Sequence, residues 1–210
     1  MEISVKLYEF TFTRSIRARW ALQELGVDFE AISVNLFAGE ALRPEFLKLN
    51  PAAKLPVLVD GDFVLTESAA IVLYLAEKYG KFLPTDARGR AEVNKWLLFT
   101  VTELEQPLWR IAKNRNLYPE EQRLAADIPL ASEDFRRMAA VAEKHMQGRA
   151  FVVGDDVTVA DFVLAYTLDW ANEVKLLDRC PQLVAYMERM YARPKAPKRI
   201  AQLRAALGGS

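Results

Sequence analysis

The chain has 210 residues, enough for one large or two small domains with a substantial buried core. It is 51% apolar and 27% charged, and 28 basic side chains balance 28 acidic ones, so nothing in its charge advertises a nucleic acid or an anionic membrane as partner. One cysteine, Cys180, excludes an intrachain disulfide and, with His145 the only histidine, argues against a His- or Cys-based metal site.

No stretch approaches about 18 uncharged apolar residues, so a membrane-spanning helix is not expected. The start, MEISVKLYEF, lacks the basic region and apolar run of a secretory signal, and a cytoplasmic protein is the expectation. Ile3, Val5 and Leu7 alternate as in a strand. Ser15 to Leu25 reads as a helix with Ile16, Trp20 and Ala21 on one stripe, Ser15 at its N-cap and Gly26 as a left-handed C-cap. Phe29 to Leu36 returns to strand, with Ile32, Val34 and Leu36 on one face. A β-α-β unit of this length implies a parallel pair with a right-handed crossover.

Pro44 to Leu49 reads as a short helix or turn, and Val57–Val59 with Phe63–Leu65 as a hairpin around Gly61. Ser68 to Tyr79 reads as a helix that Gly80 ends, giving the order β-α-β-α-β-β-α. Residues 81–88, KFLPTDAR, read as a linker. Beyond it every segment is helical in character, with candidates at 89–113, 120–147, 158–175, 181–192 and 196–206. Thr158 with Asp161 three residues later is a capping-box pattern, and Pro181 suits the first turn of a helix. His145 reads as a helix-end histidine rather than a catalytic one.

The segment that carries most chemistry is Asn50–Tyr79, NPAAKLPVLVDGDFVLTESAAIVLYLAEKY. Pro56 cannot donate a ladder hydrogen bond, so at the start of a strand it belongs at an edge or in a special turn, and X-Pro adopts cis at low cost. A helix opening at Glu67-Ser68 offers free N–H groups and a positive dipole end to a small carboxylate. An edge backbone beside such a helix start suits a short peptide.

This pattern resembles the glutathione-binding half of the cytosolic glutathione S-transferases, and the resemblance extends over nearly the whole chain. It implies a thioredoxin-like α/β domain over residues 1–80, the linker 81–88, and an all-helical domain over 89–210. It also implies a cis Pro56, a Leu55 backbone paired with the cysteinyl part of glutathione, and Glu67-Ser68 on the γ-glutamyl end. Lys54 is a candidate for the glycine carboxylate. Related sequences often carry a histidine in a Gly-Glu-His stretch after the second strand; here the run is Gly39-Glu40-Ala41, which leaves Lys54 or Arg43 to hold that carboxylate.

Glutathione chemistry needs the thiolate, and a hydroxyl donor near a helix N-terminus can stabilise it. The loop Phe10–Arg17, FTFTRSIR, is rich in hydroxyls, and Arg14 adds charge. Thr13 falls where serine-using classes of the resembled family place their catalytic serine, and Ser15, two residues on, is the competing hydroxyl. The resemblance is thus to the serine/threonine-using, bacterial-type branch. Tyr8 lies within the alternating strand and reads as core, and with no cysteine in the loop the cysteine-using classes and a dithiol mechanism are excluded. The zeta-type isomerases carry a Ser-Ser-Cys run that Thr13-Arg14-Ser15 lacks.

The resemblance implies an apolar electrophile held between the domains, with Phe12, Phe37, Phe99, Leu104, Trp109, Arg110, Arg115 and Tyr118 as candidate lining. It also implies a homodimer. The leading expectation is a glutathione transferase that activates the thiolate for attack on a small electrophile. Alternatives are a glutathione-dependent isomerase or disulfide reductase on the same site, or a non-catalytic binding or scaffold module, because a fold does not fix a function.

Overall fold

A computed structural model describes residues 5–208, with the side chains of 207 and 208 left aside. Ile3 lies outside the described residues. The chain divides into two compact units, residues through Leu83 together with those from Arg193 onward, and Pro84–Ala192.

The first unit is built on a four-stranded sheet in the order β2-β1-β3-β4. Strand β1 (Val5–Glu9) pairs parallel with β2 (Glu30–Ser33) and antiparallel with β3 (Val57–Asp60), which forms a hairpin with β4 (Phe63–Thr66). The parallel pair is the one joined through helix α1 (Ser15–Leu25), as the β-α-β pattern requires. Trp20, Ala21 and Leu22 of α1 are completely buried, and Gly26 closes the helix at φ 71°, a conformation that disfavours a side chain.

Strand β2 is shorter than its alternation suggests. After Ser33 the side chain of Asn35 accepts hydrogen bonds from the backbone N–H groups of Phe37 (3.0 Å) and Ala38 (3.1 Å), a local turn that ends the strand and leaves Leu36 exposed. Helix α2 (Pro44–Leu47) follows, with Phe46 packed among Val34, Ala41, Leu55 and Val57. Helix α3 (Ser68–Tyr79) leaves β4 and buries Ile71, Val72 and Leu75.

The second unit is helical: α4 (Ala87–Phe99), α5 (Glu105–Ala112), α6 (Asp127–His145), α7 (Val159–Glu173) and α8 (Pro181–Tyr191). The run expected as one helix over 89–113 widens into π-turns at Thr100–Leu104 and Lys113–Leu117. Helix α6 begins seven residues later than its pattern suggests. Pro129 lies in its first turn, where its missing N–H costs nothing; placed deeper in a helix started at 120, its ring would clash with a carbonyl one turn back. His145 ends α6, with Nε2 2.8 Å from the Val152 carbonyl and its ring 4.2 Å from that of Trp96.

Helix α7 is buried along most of its length and opens with the capping box read from sequence. Asp161 goes further than a cap. It accepts from the backbone N–H groups of Val152 (2.9 Å) and Thr158 (2.8 Å), from the Thr158 hydroxyl (3.0 Å) and from the Tyr186 hydroxyl (2.8 Å). Burial pushes its carboxyl above the ordinary aspartate value despite these bonds.

Past α8 the chain belongs to the first unit. Arg193 donates to both carboxylate oxygens of Glu24 on α1 (2.7 and 2.8 Å), and helix α9 (Ile200–Gly208) follows. Burial pushes the Glu24 carboxyl up, but the hydrogen bond and charge of Arg193, with a hydrogen bond from Trp20, outweigh it and hold the group below its ordinary value.

Candidate active site

The sheet register draws the sequence candidates of the first unit together. Val57 pairs with Tyr8 on one side and with Thr66 on the other. Pro56 directly precedes Val57, as Glu9 follows Tyr8 and Glu67 follows Thr66, so the approach to β3, the end of β1 and the start of α3 lie at the same end of the sheet. The peptide bond Leu55–Pro56 is cis. Among the described residues no hydrogen bond engages the backbone N–H or C=O of Leu55, which leaves an unfilled peptide edge there. Asn50 shapes the approach: its amide donates to the Lys54 carbonyl (2.8 Å) and its side-chain oxygen accepts from the Ala52 N–H (3.0 Å). Lys54 itself is exposed.

Glu67 ends the hairpin as the cap residue of α3 at φ 67° and ψ 113°, a backbone region that a residue with a side chain rarely adopts. It is exposed, whereas Ser68 beside it is 5% exposed. Ser68 Oγ accepts a hydrogen bond from Arg17 Nη1 at 3.2 Å, an α1 guanidinium that is itself fully buried. Sequence reading passed over Arg17. The signal was a charged residue on the stripe it shares with Trp20 and Ala21, three and four positions on, both completely buried.

The loop after β1 holds two hydroxyls in contact. Thr13 Oγ1 lies 2.7 Å from the Phe10 carbonyl oxygen, 2.6 Å from Ser15 Oγ, and 3.3 Å from the Ser15 N–H. A carbonyl only accepts, so the single Thr13 proton points at Phe10, and the Ser15 hydroxyl must donate to Thr13. Ser15 was expected as the N-cap of α1. The cap position is instead Arg14, without a side-chain cap bond, and Ser15 is the first helical residue, 1% exposed. Thr13 is only half-buried and is the more accessible hydroxyl. Phe12 adopts φ 65°, a further departure from ordinary backbone in this loop. Tyr8 packs edge-on against Phe46 at 6.1 Å, a core contact.

Where related sequences often have a histidine, Ala41 is 3% exposed in the core cluster around Phe46. Arg43 is exposed and 3.4 Å from Glu40. Phe37 is 86% exposed, propped edge-on by Phe10 at 5.8 Å. In the helical unit Leu104 is fully buried and Trp109 stacks edge-on with Trp170 at 6.3 Å. The Arg110 guanidinium is held by Asp127 and Asp134, the former also bound by Asn114. Phe99 lies edge-on to Trp96 at 5.2 Å, and Arg115 and Tyr118 are exposed.

A thioredoxin-like sheet with a cis-proline at the entrance to β3, in a chain whose second unit is all-helical, defines a two-domain α/β-plus-α protein class. A family model described as the glutathione S-transferase N-terminal domain matches residues 3–77, and one described as the C-terminal domain matches residues 104–194. The chain is 40% identical over 168 residues to glutathione S-transferase 1 of Dianthus caryophyllus, covering 77% of this chain and 74% of that protein. It is 39% identical over 165 residues to a zeta-class glutathione S-transferase of Euphorbia esula, covering 76% and 72%. A glutathione transferase of Phanerochaete chrysosporium, solved with oxidized glutathione, superposes with a TM-score of 0.85 at 25% identity, covering 100% of this chain and 99% of that one. The chain belongs to the glutathione S-transferase family.

Proposed function

We propose that this enzyme binds glutathione in the first unit, lowers the pKa of its thiol through Thr13, and directs the thiolate at a small apolar electrophile. The observation that carries the reading is the open Leu55 backbone, joined by a cis bond to Pro56 and two positions before Val57, whose ladder partner Thr66 directly precedes Glu67-Ser68. Leu55 pairs with the cysteinyl residue as a short antiparallel ladder would. Glu67 meets the α-ammonium group, and Ser68, with the N-terminus of α3, meets the α-carboxylate. Lys54, exposed beside Leu55, and Arg43 serve the glycine carboxylate in place of a histidine.

For the thiol, the hydroxyl geometry favours a relay. Thr13 turns its proton from the Phe10 carbonyl to the sulfur while Ser15 goes on donating to Thr13, so the buried serine polarises the half-buried threonine. Arg14 adds positive charge at the same helix start. The thiolate then forms a carbon–sulfur bond with the electrophile, whose leaving group departs with the bonding pair. Phe12 and Phe37 offer apolar surface, and a cavity of about 290 Å³, lined in part by Phe10, Thr11 and Ile16, lies along the same loop.

The similarity to a zeta-class protein supports a second reading, isomerisation in which glutathione is regenerated. Mass balance separates the two, since transfer consumes one glutathione per product and isomerisation none. The test of the site is an ultraviolet titration of glutathione with stoichiometric protein from about pH 5 to 10. A thiolate midpoint well below the free-thiol value of about 8.5 supports activation. A midpoint unchanged at saturating protein leaves a carrier and removes the role given to Thr13.

A further inference from the structure

We propose that Arg17 is a positioning residue for the γ-glutamyl carboxylate of glutathione, acting through Ser68. The inference rests on the glutathione reading above and assigns a role to a side chain that the reading does not use. Arg17 lies in the first turn of α1, is completely buried, and donates from Nη1 to Ser68 Oγ at 3.2 Å across 51 residues of chain.

The direction of that bond decides what Ser68 can do. A guanidinium has donors and no acceptor, so Ser68 Oγ is compelled to accept from Arg17. A serine hydroxyl carries one proton, and with its oxygen held as acceptor that proton is left to point elsewhere as a donor. Ser68 thereby presents a hydroxyl donor and its own N–H, which as the first residue of α3 has no partner within the helix. Two donors from one residue match the two oxygens of a carboxylate.

The charges agree with the geometry. Arg17 brings its guanidinium from the first turn of α1 to the first residue of α3. The positive end of the α3 dipole at Ser68 favours an anion there. The exposed Glu67 next to it supplies the negative group for an ammonium. Ser68 with Arg17 behind it, and Glu67 in front, together form a receptor for an α-amino-acid zwitterion, the chemical form of the γ-glutamyl end.

The experiment compares binding of two probes by calorimetry, glutathione and 4-aminobutanoyl-cysteinylglycine, which has the same skeleton without the α-carboxylate. Wild-type protein is expected to prefer glutathione by at least tenfold. In Arg17→Gln glutathione weakens at least tenfold while the truncated peptide changes less than twofold, so the preference collapses. Arg17→Lys, which keeps the charge but not the planar fork, recovers part of the preference, and it serves alone if the Gln variant does not fold. A preference in these variants equal to wild type, or equal losses for both probes, overturns the role of Arg17 while leaving the glutathione reading intact. A wild-type protein that fails to bind glutathione at all removes the reading and the inference together.

Discussion

Replacing Thr13 by Ala tests which hydroxyl meets the thiol. In the structure its proton is committed to the Phe10 carbonyl at 2.7 Å, and its oxygen accepts from Ser15. A hydrogen bond to a charged partner is worth about 1.5–3 kcal/mol, and the neutral bond given up to Phe10 about 1 kcal/mol, so the net gain at the thiolate is about 1.2 kcal/mol. At 1.36 kcal/mol per pH unit, Thr13→Ala raises the bound thiol's pKa by about one unit. Ser15→Ala removes only the polarisation of the donor, about 10–30% of its strength, and raises the pKa by a few tenths of a unit. The assay is the thiolate absorbance of protein-bound glutathione across pH, with affinity measured in parallel. If Ser15→Ala produced the larger shift and Thr13→Ala none, the relay would run the other way and the hydroxyl assignment would be wrong.

Glu67→Ala weakens glutathione binding at least tenfold, about 1.4 kcal/mol, and calorimetry returning the wild-type affinity would remove Glu67 from the site. Asp161→Ala leaves three buried donors unsatisfied and Tyr186 only a 3.4 Å bond to the residue's own carbonyl, and lowers stability by about 3–5 kcal/mol in denaturant titrations; a loss under about 1 kcal/mol would show that water or a rearrangement replaces the carboxylate. Glu24, held below its ordinary value of 4.5 chiefly by Arg193 against the cost of burial, contributes stability that is present above that value and lost as pH falls through its depressed folded pKa. Glu24→Gln therefore costs about 1–2 kcal/mol at neutral pH, and its deficit against wild type shrinks in acid; a deficit constant with pH contradicts the assigned pairing. A C2 homodimer is expected in light scattering, and a species near the chain mass of 23.8 kDa refutes it.

The parts legible in the sequence were those with local physics. Alternation at Val5 and Leu7, the Gly26 cap, the turn at Gly61 and the Thr158–Asp161 box each depend on residues within a few positions, and each is present in the structure. Boundaries set by competing local bonds were harder. Asn35 ends β2 three residues before its alternation stops, and Ser15 turns its hydroxyl toward Thr13 rather than onto the helix it starts. Arg17 was invisible for a different reason. Its partner Ser68 is 51 positions away, and only the sheet-and-helix topology brings a first-turn arginine of α1 to the first residue of α3. The same holds for Arg110, whose carboxylate partners on α6 lie 17 and 24 positions on.

The hydroxyl alone does not account for the activation expected of this site, and the remainder makes the sharpest demand on it. Lowering a thiol from about 8.5 by two units requires about 2.7 kcal/mol of preferential thiolate stabilisation. Thr13 supplies about 1.2 kcal/mol of that by the reckoning above. The start of α1 runs from half-buried Thr13 and Arg14 to buried Ser15; a helix N-terminus there contributes about 1 kcal/mol to an adjacent anion, and the two together come within about half a kcal/mol of the requirement. The helix contribution resides in the backbone and survives substitution of the threonine. Thr13→Ala must therefore leave the bound thiol about half a unit or more below free glutathione, and a residual that shrinks little in added salt would agree with the partial burial. A variant whose bound thiol returned to the free value would show that the helix start does not face the sulfur, and the anion it attracts would have to be sought at Ser68 and Arg17 instead.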